Sequence, residues 1–281
     1  MSIAKDTQNP LLQTLLRVMP PTKMRLPSKG LLYKNGELDD EVVDGEIIVY
    51  PMTTLDEIII RNPDMLLQGT AIEQVVGRCA PQIRKPMELF SKDIDYILVF
   101  LRKVSYGNDL ILKYTCPLCI AEAEKDVDIE AHEYNISVDF FLKSSKELSE
   151  NYNDTYKIKL TSGQVIHLRP SKYNEMLKMF ELNEQTTNPE ELREIVNISI
   201  LSVIKDVDGI AEKELINEWL KELPIAHMRE IVAKIADANN FGPEFKYTIK
   251  CIDCERDQDI SYILNPTSFF TLPSSPTINN V

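Results

Sequence analysis

The chain has 281 residues, of which 43% are hydrophobic, and its formal net charge is −13. That length holds one large or two small domains with a proper core. A duplex nucleic-acid binder carries a basic face that displaces counterions; here Lys and Arg are scattered among more numerous acids, so no nucleic-acid partner is expected. No run of about 18 apolar residues is present to span a membrane.

Residues 1–22 read as a separate N-terminal arm. An apolar stripe of Leu11, Leu12, Leu15, Leu16, Val18 and Met19 ends at Pro20-Pro21, which cannot continue a helix. Gln13, Thr14 and Arg17 interrupt it, so the stretch is an amphipathic helix and not a signal peptide. Such a stripe serves equally to pack on its own domain or to dock on a partner. Residues 23–56 read as β. Lys34-Asn35-Gly36 supplies a turn of the hairpin type and residues 45–51 a short strand. Thr53 or Thr54 then caps a helix running to Arg61, with Asp56 and Glu57 in its first turn. Residues 62–107 are helical by period. Thr70 and Ser91 serve as caps, Arg102 and Lys103 complement a helix C-terminus, and Gly107 is a stop. Cys79 ends an apolar helical stretch and reads as a buried packing thiol.

The most informative pieces are Lys113-Tyr114-Thr115-Cys116-Pro117-Leu118-Cys119 and Tyr247-Thr248-Ile249-Lys250-Cys251-Ile252-Asp253-Cys254. Each is a strand-like run entering a Cys-x-x-Cys. Each is followed by a charged turn and a second strand-like run, 126–129 and 259–264 respectively. A Cys-x-x-Cys turn aims two sulfurs at one point, and tetrahedral zinc takes four ligands. Cys116, Cys119, Cys251 and Cys254 therefore read as one structural zinc site made by two knuckles. A disulfide suits an oxidising compartment, which nothing here indicates. A redox pair wants its Cys at a helix N-terminus, whereas both pairs are expected between strands. The two pairs lie far apart, with residues 120–250 between them, which a subdomain inserted between the knuckles explains. An unmetallated pair and a redox pair remain the alternatives.

That insert spans 139–243. It opens on a polar link, continues as a hairpin (156–160 and 165–168), and then reads as a small helical bundle. Ser171 caps its first helix, Asn188-Pro189 starts the second, and two more lie near 212–221 and 224–235. The second knuckle occupies 244–264. The tail 265–281 is Pro-rich, yet Phe269, Phe270 and Leu272 mark a piece that packs on something. The whole is α+β: a β-rich N-terminal part and helices joined to a zinc-ribbon-like pair of knuckles. Its parts are an arm (1–22), a body with the first knuckle (23–138), the insert, the second knuckle and the tail.

No catalytic constellation emerges. His132, His167 and His227 lack a nucleophile in a recognisable motif, and the nine glycines form no phosphate loop. The chain reads as a non-enzyme without a small-molecule substrate. Lys113, Lys246, Lys250 and Arg256 flank the knuckles. They read as offsets to thiolate charge, since four thiolates around Zn²⁺ sum to −2. The rival is a basic footprint for a zinc-ribbon regulator of nucleic acid or polymerase.

Four separated motifs carry a resemblance. They are Leu26-Pro27-Ser28-Lys29-Gly30-Leu31-Leu32-Tyr33; Gly45-Glu46-Ile47 leading into Pro51-Met52-Thr53-Thr54-Leu55-Asp56-Glu57; Arg102 with Ser105-Tyr106-Gly107; and Cys116-Pro117-Leu118-Cys119. In this order they resemble the baseplate protein family of T4-like contractile-tailed phages, over roughly residues 24–120. The resemblance implies a structural or assembly protein of a phage tail, a baseplate hub subunit. Such a protein is made in the host cytoplasm, has other tail proteins as partners, and is expected in the virion tail baseplate. An assembly chaperone absent from the finished virion is the rival role. Leu11, Leu12, Leu15 and Leu16 at one end and Phe269 and Phe270 at the other are the expected partner-binding residues.

Overall fold

The fold is that of a computed structural model describing residues 20–122, 131–149, 156–178, 188–262, 264 and 266–270. It is α+β. β1 (Thr22–Arg25) pairs antiparallel with β2 (Glu46–Val49), Thr22 opposite Val49. Alternation along both strands sends Met24, Ile47 and Val49 inward. The connection between them is no tight hairpin. Asn35-Gly36 forms a bend without flanking strands, and the loop folds back along the body instead. Its path needs Gly45, which has φ +69°. A Cβ there would lie 2.6 Å from the Lys29 carbonyl carbon, too close for any other residue.

Next come α1 (Thr54–Ile60), α2 (Pro63–Leu67), α3 (Thr70–Cys79) and α4 (Ser91–Tyr106). Thr53 caps α1 in a capping box with Asp56, whose other carboxylate oxygen takes Arg78 at 2.5 Å from α3. Asp56 is thus buried with every partner it needs. Thr70 and Ser91 open their helices but do not cap them. Gly69, in the left-handed region, and Phe90 hold the cap positions. The Thr70 hydroxyl instead donates to the Met65 carbonyl. Gly107, at φ +88°, ends α4.

The first ribbon follows as β3 (Asp109–Tyr114), α5 (Pro117–Glu122) and β4 (His132–Ser137), with Tyr114 opposite His132. The returning strand is therefore 132–137; residues 126–129, expected in that role, lie outside the described residues. α6 (Val138–Lys143) packs on α4. β5 (Tyr156–Lys159), β6 (Val165–Leu168) and β7 (Ile204–Val207) form a three-stranded antiparallel sheet in that order. Residues 173–178 are helical, then come α7 (Pro189–Val203), α8 (Lys213–Glu222) and α9 (Ile225–Ala238). The second ribbon is β8 (Lys246–Lys250) with β9 (Asp257–Ser261), before the short α10 (Pro266–Phe269).

The insert is thus a sheet covered by helices and not the helical bundle its periodicity suggested. β7 is the strand that was missed. It emerges directly from α7, so one apolar run changes from helix to strand at Ile204 without a turn residue between. Its side of the molecule has its own core, including Ile158, Ile166, Leu168, Ile200, Ile204, Ile216, Leu220 and Ile231. The larger core joins β1, β2, α3 and α4 with Leu110, Ile136, Phe141, Phe269 and Phe270.

Candidate metal centre

Each Cys-x-x-Cys is presented by the end of a ribbon. β3 delivers Cys116 one residue beyond Thr115, and Cys119 lies inside α5. The first pair is therefore followed by a short helix, not the loop expected from sequence. In the second, Cys251 closes on the returning chain by donating its N–H to the Arg256 carbonyl at 3.0 Å. The turn reverses at Glu255, whose φ is +56°.

The two ribbons converge although residues 120–250 separate the pairs. Cys116 Sγ lies 3.8 Å from Cys254 Sγ, and Cys119 Sγ 3.7 Å from Cys251 Sγ. All four sulfurs fall within 4.8 Å of one another. A disulfide needs about 2.05 Å, so these are four free thiols around a common centre. Cys116 and Cys251 are buried, and Cys119 and Cys254 half-buried. Backbone N–H groups of Cys254 and Asp253 point at the Cys251 sulfur and lower its pKa, whereas desolvation and the neighbouring thiols raise that of Cys119. N–H groups aimed at sulfur favour thiolate, the ligand form. The arrangement is a possible metal site with an all-sulfur donor set.

Contacts beyond the sulfurs lace the ribbons together. His132 Nε2 on β4 meets Asp253 at 2.7 Å, and the Ile252 N–H donates to the Tyr134 hydroxyl at 3.3 Å. Arg256 pairs with Glu122 at 2.7 Å. Phe140 meets Tyr247, and Phe141 meets Phe245 and Tyr262, as ring pairs. The flanking bases expected to offset thiolate charge mostly meet acids: Lys113 bonds Glu133 and Lys250 faces Glu255. Arg256 serves both needs; Glu122 first, then Cys254 and Cys119, raise its pKa.

The remaining sequence-derived site residues fare differently. Leu11, Leu12, Leu15 and Leu16 lie outside the described residues. Phe269 and Phe270 are fully buried in the chain's own core. This corrects their expected role as docking residues: the rings are already spent on Tyr106, Tyr262 and Arg102. Arg102 is itself a correction. It does not complement the helix terminus from the surface; it is buried with its guanidinium 4.9 Å from the Tyr106 ring, donating to the Asp109 carbonyl. Cys79 is buried, and burial raises its pKa to about 12, as a packing thiol requires. His167 is half-buried and bonds Asp206 at 2.8 Å. His227 reaches Thr161 at 3.4 Å, but that hydroxyl donates to Glu230. Sequence reasoning missed Tyr134 and His132, which buttress the centre from β4. Their signal was their alternation opposite β3, once the correct return strand is assigned.

Two ribbons bearing paired cysteines, grown from an α+β body and separated in sequence by a long insert, bring four free thiols to one centre. The family model described as "T4 bacteriophage base plate protein" matches residues 36–271, most of the chain, and the chain belongs to that family. The match takes in the insert and both cysteine pairs, well beyond the stretch that carried the resemblance, and begins after the 26–33 motif. Comparison with curated proteins and with solved structures finds no match. The family carries a baseplate role and, with it, other phage tail proteins as partners. No helix among the described residues is long and apolar enough to cross a membrane.

Proposed function

We propose that this chain is a non-catalytic structural subunit of a contractile-tail baseplate, a hub component made in the host cytoplasm and retained in the virion. In this reading one structural Zn²⁺ is bound by Cys116, Cys119, Cys251 and Cys254. The observation that carries the zinc reading is the spacing of the sulfurs. Zn–S bonds of about 2.3 Å in a tetrahedron put sulfurs about 3.8 Å apart; the two cross-ribbon distances are 3.8 and 3.7 Å. Four protein ligands leave no open position for substrate or water, which is the form of a structural site. Bound there, zinc supplies cross-linking without redox chemistry. It fixes the second ribbon on the first, so the chain end cannot leave while the metal is held. Tyr134 and His132 orient the second turn, and Arg256 lies beside the thiolates. The non-catalytic reading is supported by where the polar side chains go: the histidines are engaged by Asp253, Asp206 and Thr161.

Two measurements test this. Metal analysis of the purified protein is expected to give one zinc per chain; none, or iron, defeats the zinc reading. Mass spectrometry of purified particles is expected to find the chain at fixed stoichiometry. Absence from particles, with assembly still dependent on it, assigns the chaperone role instead.

A further inference from the structure

Helix α1 is apolar over more of its circumference than the body covers. Asp56 and Ile60 are buried, and Ile59 is half-buried against the main core. Leu55 and Ile58 carry the apolar arc onward into solvent, at 51% and 65% exposed. They stand three residues apart, and Ile59 is four from Leu55, so the three share one face of the helix. At about 100° per residue, the arc from Ile60 through Ile59 and Leu55 to Ile58 spans about 200°. A helix lying on a core needs a stripe of about 100°. The excess is a surface built to be covered.

The chain's own beginning is delivered to this face. β1 starts at Thr22, opposite Val49, and only residues 50–53 separate Val49 from α1. The chain before Pro20-Pro21 therefore enters at the end of the β1–β2 pair where β2 hands over to α1. Residues 11–19 hold Leu11, Leu12, Leu15, Leu16 and Met19, an apolar stripe of helical period. A helix of that length is about 13 Å long, against about 10 Å for α1, so the two stripes match. The other chain end fits poorly. Phe270 packs on Tyr106, and Tyr106 hydrogen-bonds Glu57. Glu57 is two residues from Leu55, on the far side of α1. Residues 271–281 also contain Pro273 and Pro276, which interrupt any helical stripe. A separate subunit would have to displace a segment tethered beside the face, whose effective concentration over so short a link is of millimolar order.

We propose that residues 11–19 dock in cis on α1, with Leu11, Leu12, Leu15, Leu16 and Met19 covering Leu55 and Ile58. The four leucines expected to bind another subunit are then used within the chain, where they clamp β1 to α1.

The test uses the purified full chain carrying Ile58→p-benzoylphenylalanine, mixed in equal parts from unlabelled and nitrogen-15-labelled protein. After irradiation, adducts are mapped by mass spectrometry. The expected adduct joins position 58 to residues 11–19, with both peptides of the same isotope. Adducts only of mixed isotope, which report a second copy, adducts only to 271–281, or none at all overturn the proposal. In parallel, the chain lacking residues 1–19 is expected to exchange its α1 amides at least ~10-fold faster, one decade corresponding to part of a single buried side chain. The β5, β6 and β7 amides are expected to keep their rates. Unchanged α1 exchange in the folded truncation overturns the proposal. Ile58→Ala is expected to lower the denaturant midpoint of the full chain and leave that of the truncation unmoved; equal shifts in both overturn it. If the truncation loses its fold, the crosslink in the full chain decides.

Discussion

The body and the insert are built on opposite plans. The insert's core draws on residues between Ile158 and Ile231, a continuous stretch of chain. The body's core gathers residues from Met24 to Phe270, with the insert emitted from its middle. The seam between them is mixed: Phe90 of the body packs with Leu148 and Phe241, Tyr173 is buried in the body's core, Lys172 and Asn174 reach Glu88, and Ser91 donates its N–H to the Ser171 carbonyl. The comparison teaches that the two need different kinds of support. Local contacts close the insert as it forms, whereas the body must wait for its own far end and needs something to hold that end in place.

The largest expected effect therefore falls on the clasp. On the zinc reading proposed above, Cys251→Ser, or treatment with a chelator, is expected to lower the body's melting temperature by more than about 10 °C, since binding free energy at a structural zinc is folding free energy. Hydrogen exchange sharpens the contrast: amides of β3, β4, β8 and β9 lose protection, while β5, β6 and β7 keep theirs. Equal loss in the insert sheet would break the comparison. Next is Phe270→Ala, a fully buried ring, expected to cost about 3–5 kcal/mol in the isolated protein by chemical denaturation. No loss would return the C-terminal aromatics to a docking role.

A smaller effect concerns pH. Asp93 is fully buried, accepting from the Ser28 N–H at 3.0 Å and the Tyr33 hydroxyl at 2.6 Å. Burial raises its pKa from 3.8 to about 6, with these bonds pulling the other way. The folded state thus holds a proton that the unfolded state releases. Ionised above pH 6, the group opposes folding; as pH falls from about 6 toward 4 that penalty is relieved, by up to ~3 kcal/mol. Stability of the native chain measured relative to Asp93→Asn is expected to rise over that window, and a flat difference would refute the assignment. The smallest effect is at the seam. Lys172→Met removes a partly exposed ion pair with Glu88 and is expected to cost no more than about 1 kcal/mol, leaving both cores' exchange protection intact.

The centre was legible because the spacing within each Cys-x-x-Cys is local and the matching of the two pieces is visible without a fold. Helices with strong caps or stops, such as α1 at Thr53 and α4 at Gly107, were legible for the same reason. What could not be read was decided at a distance. β7 exists because β6 lies beside it, pairing Ile166 with Val207, and nothing in its own residues ends α7 before it. Arg102 reads as a surface cation until Tyr106 and Phe269, the latter far along the chain, enclose it. Phe269 and Phe270 looked like an unpartnered arm because Arg102 and Tyr106, which meet their rings, lie far earlier in the chain.

The distance between the cysteine pairs has a consequence during synthesis. Cys116 and Cys119 emerge from the ribosome ahead of Cys251 and Cys254 by the time it takes to add a stretch as long as residues 120–250. At roughly 5–20 residues per second that interval is about 7–26 s. For that time the nascent chain offers two thiols with two ligands missing, a half-site that binds metal weakly and exchanges it readily. The insert, being local, can complete its sheet during the wait, and its folded ends then shorten the search of the last ribbon for the first. On the zinc reading proposed above, metal capture becomes the closing event of translation, and a chain truncated before Cys251 is left unsealed.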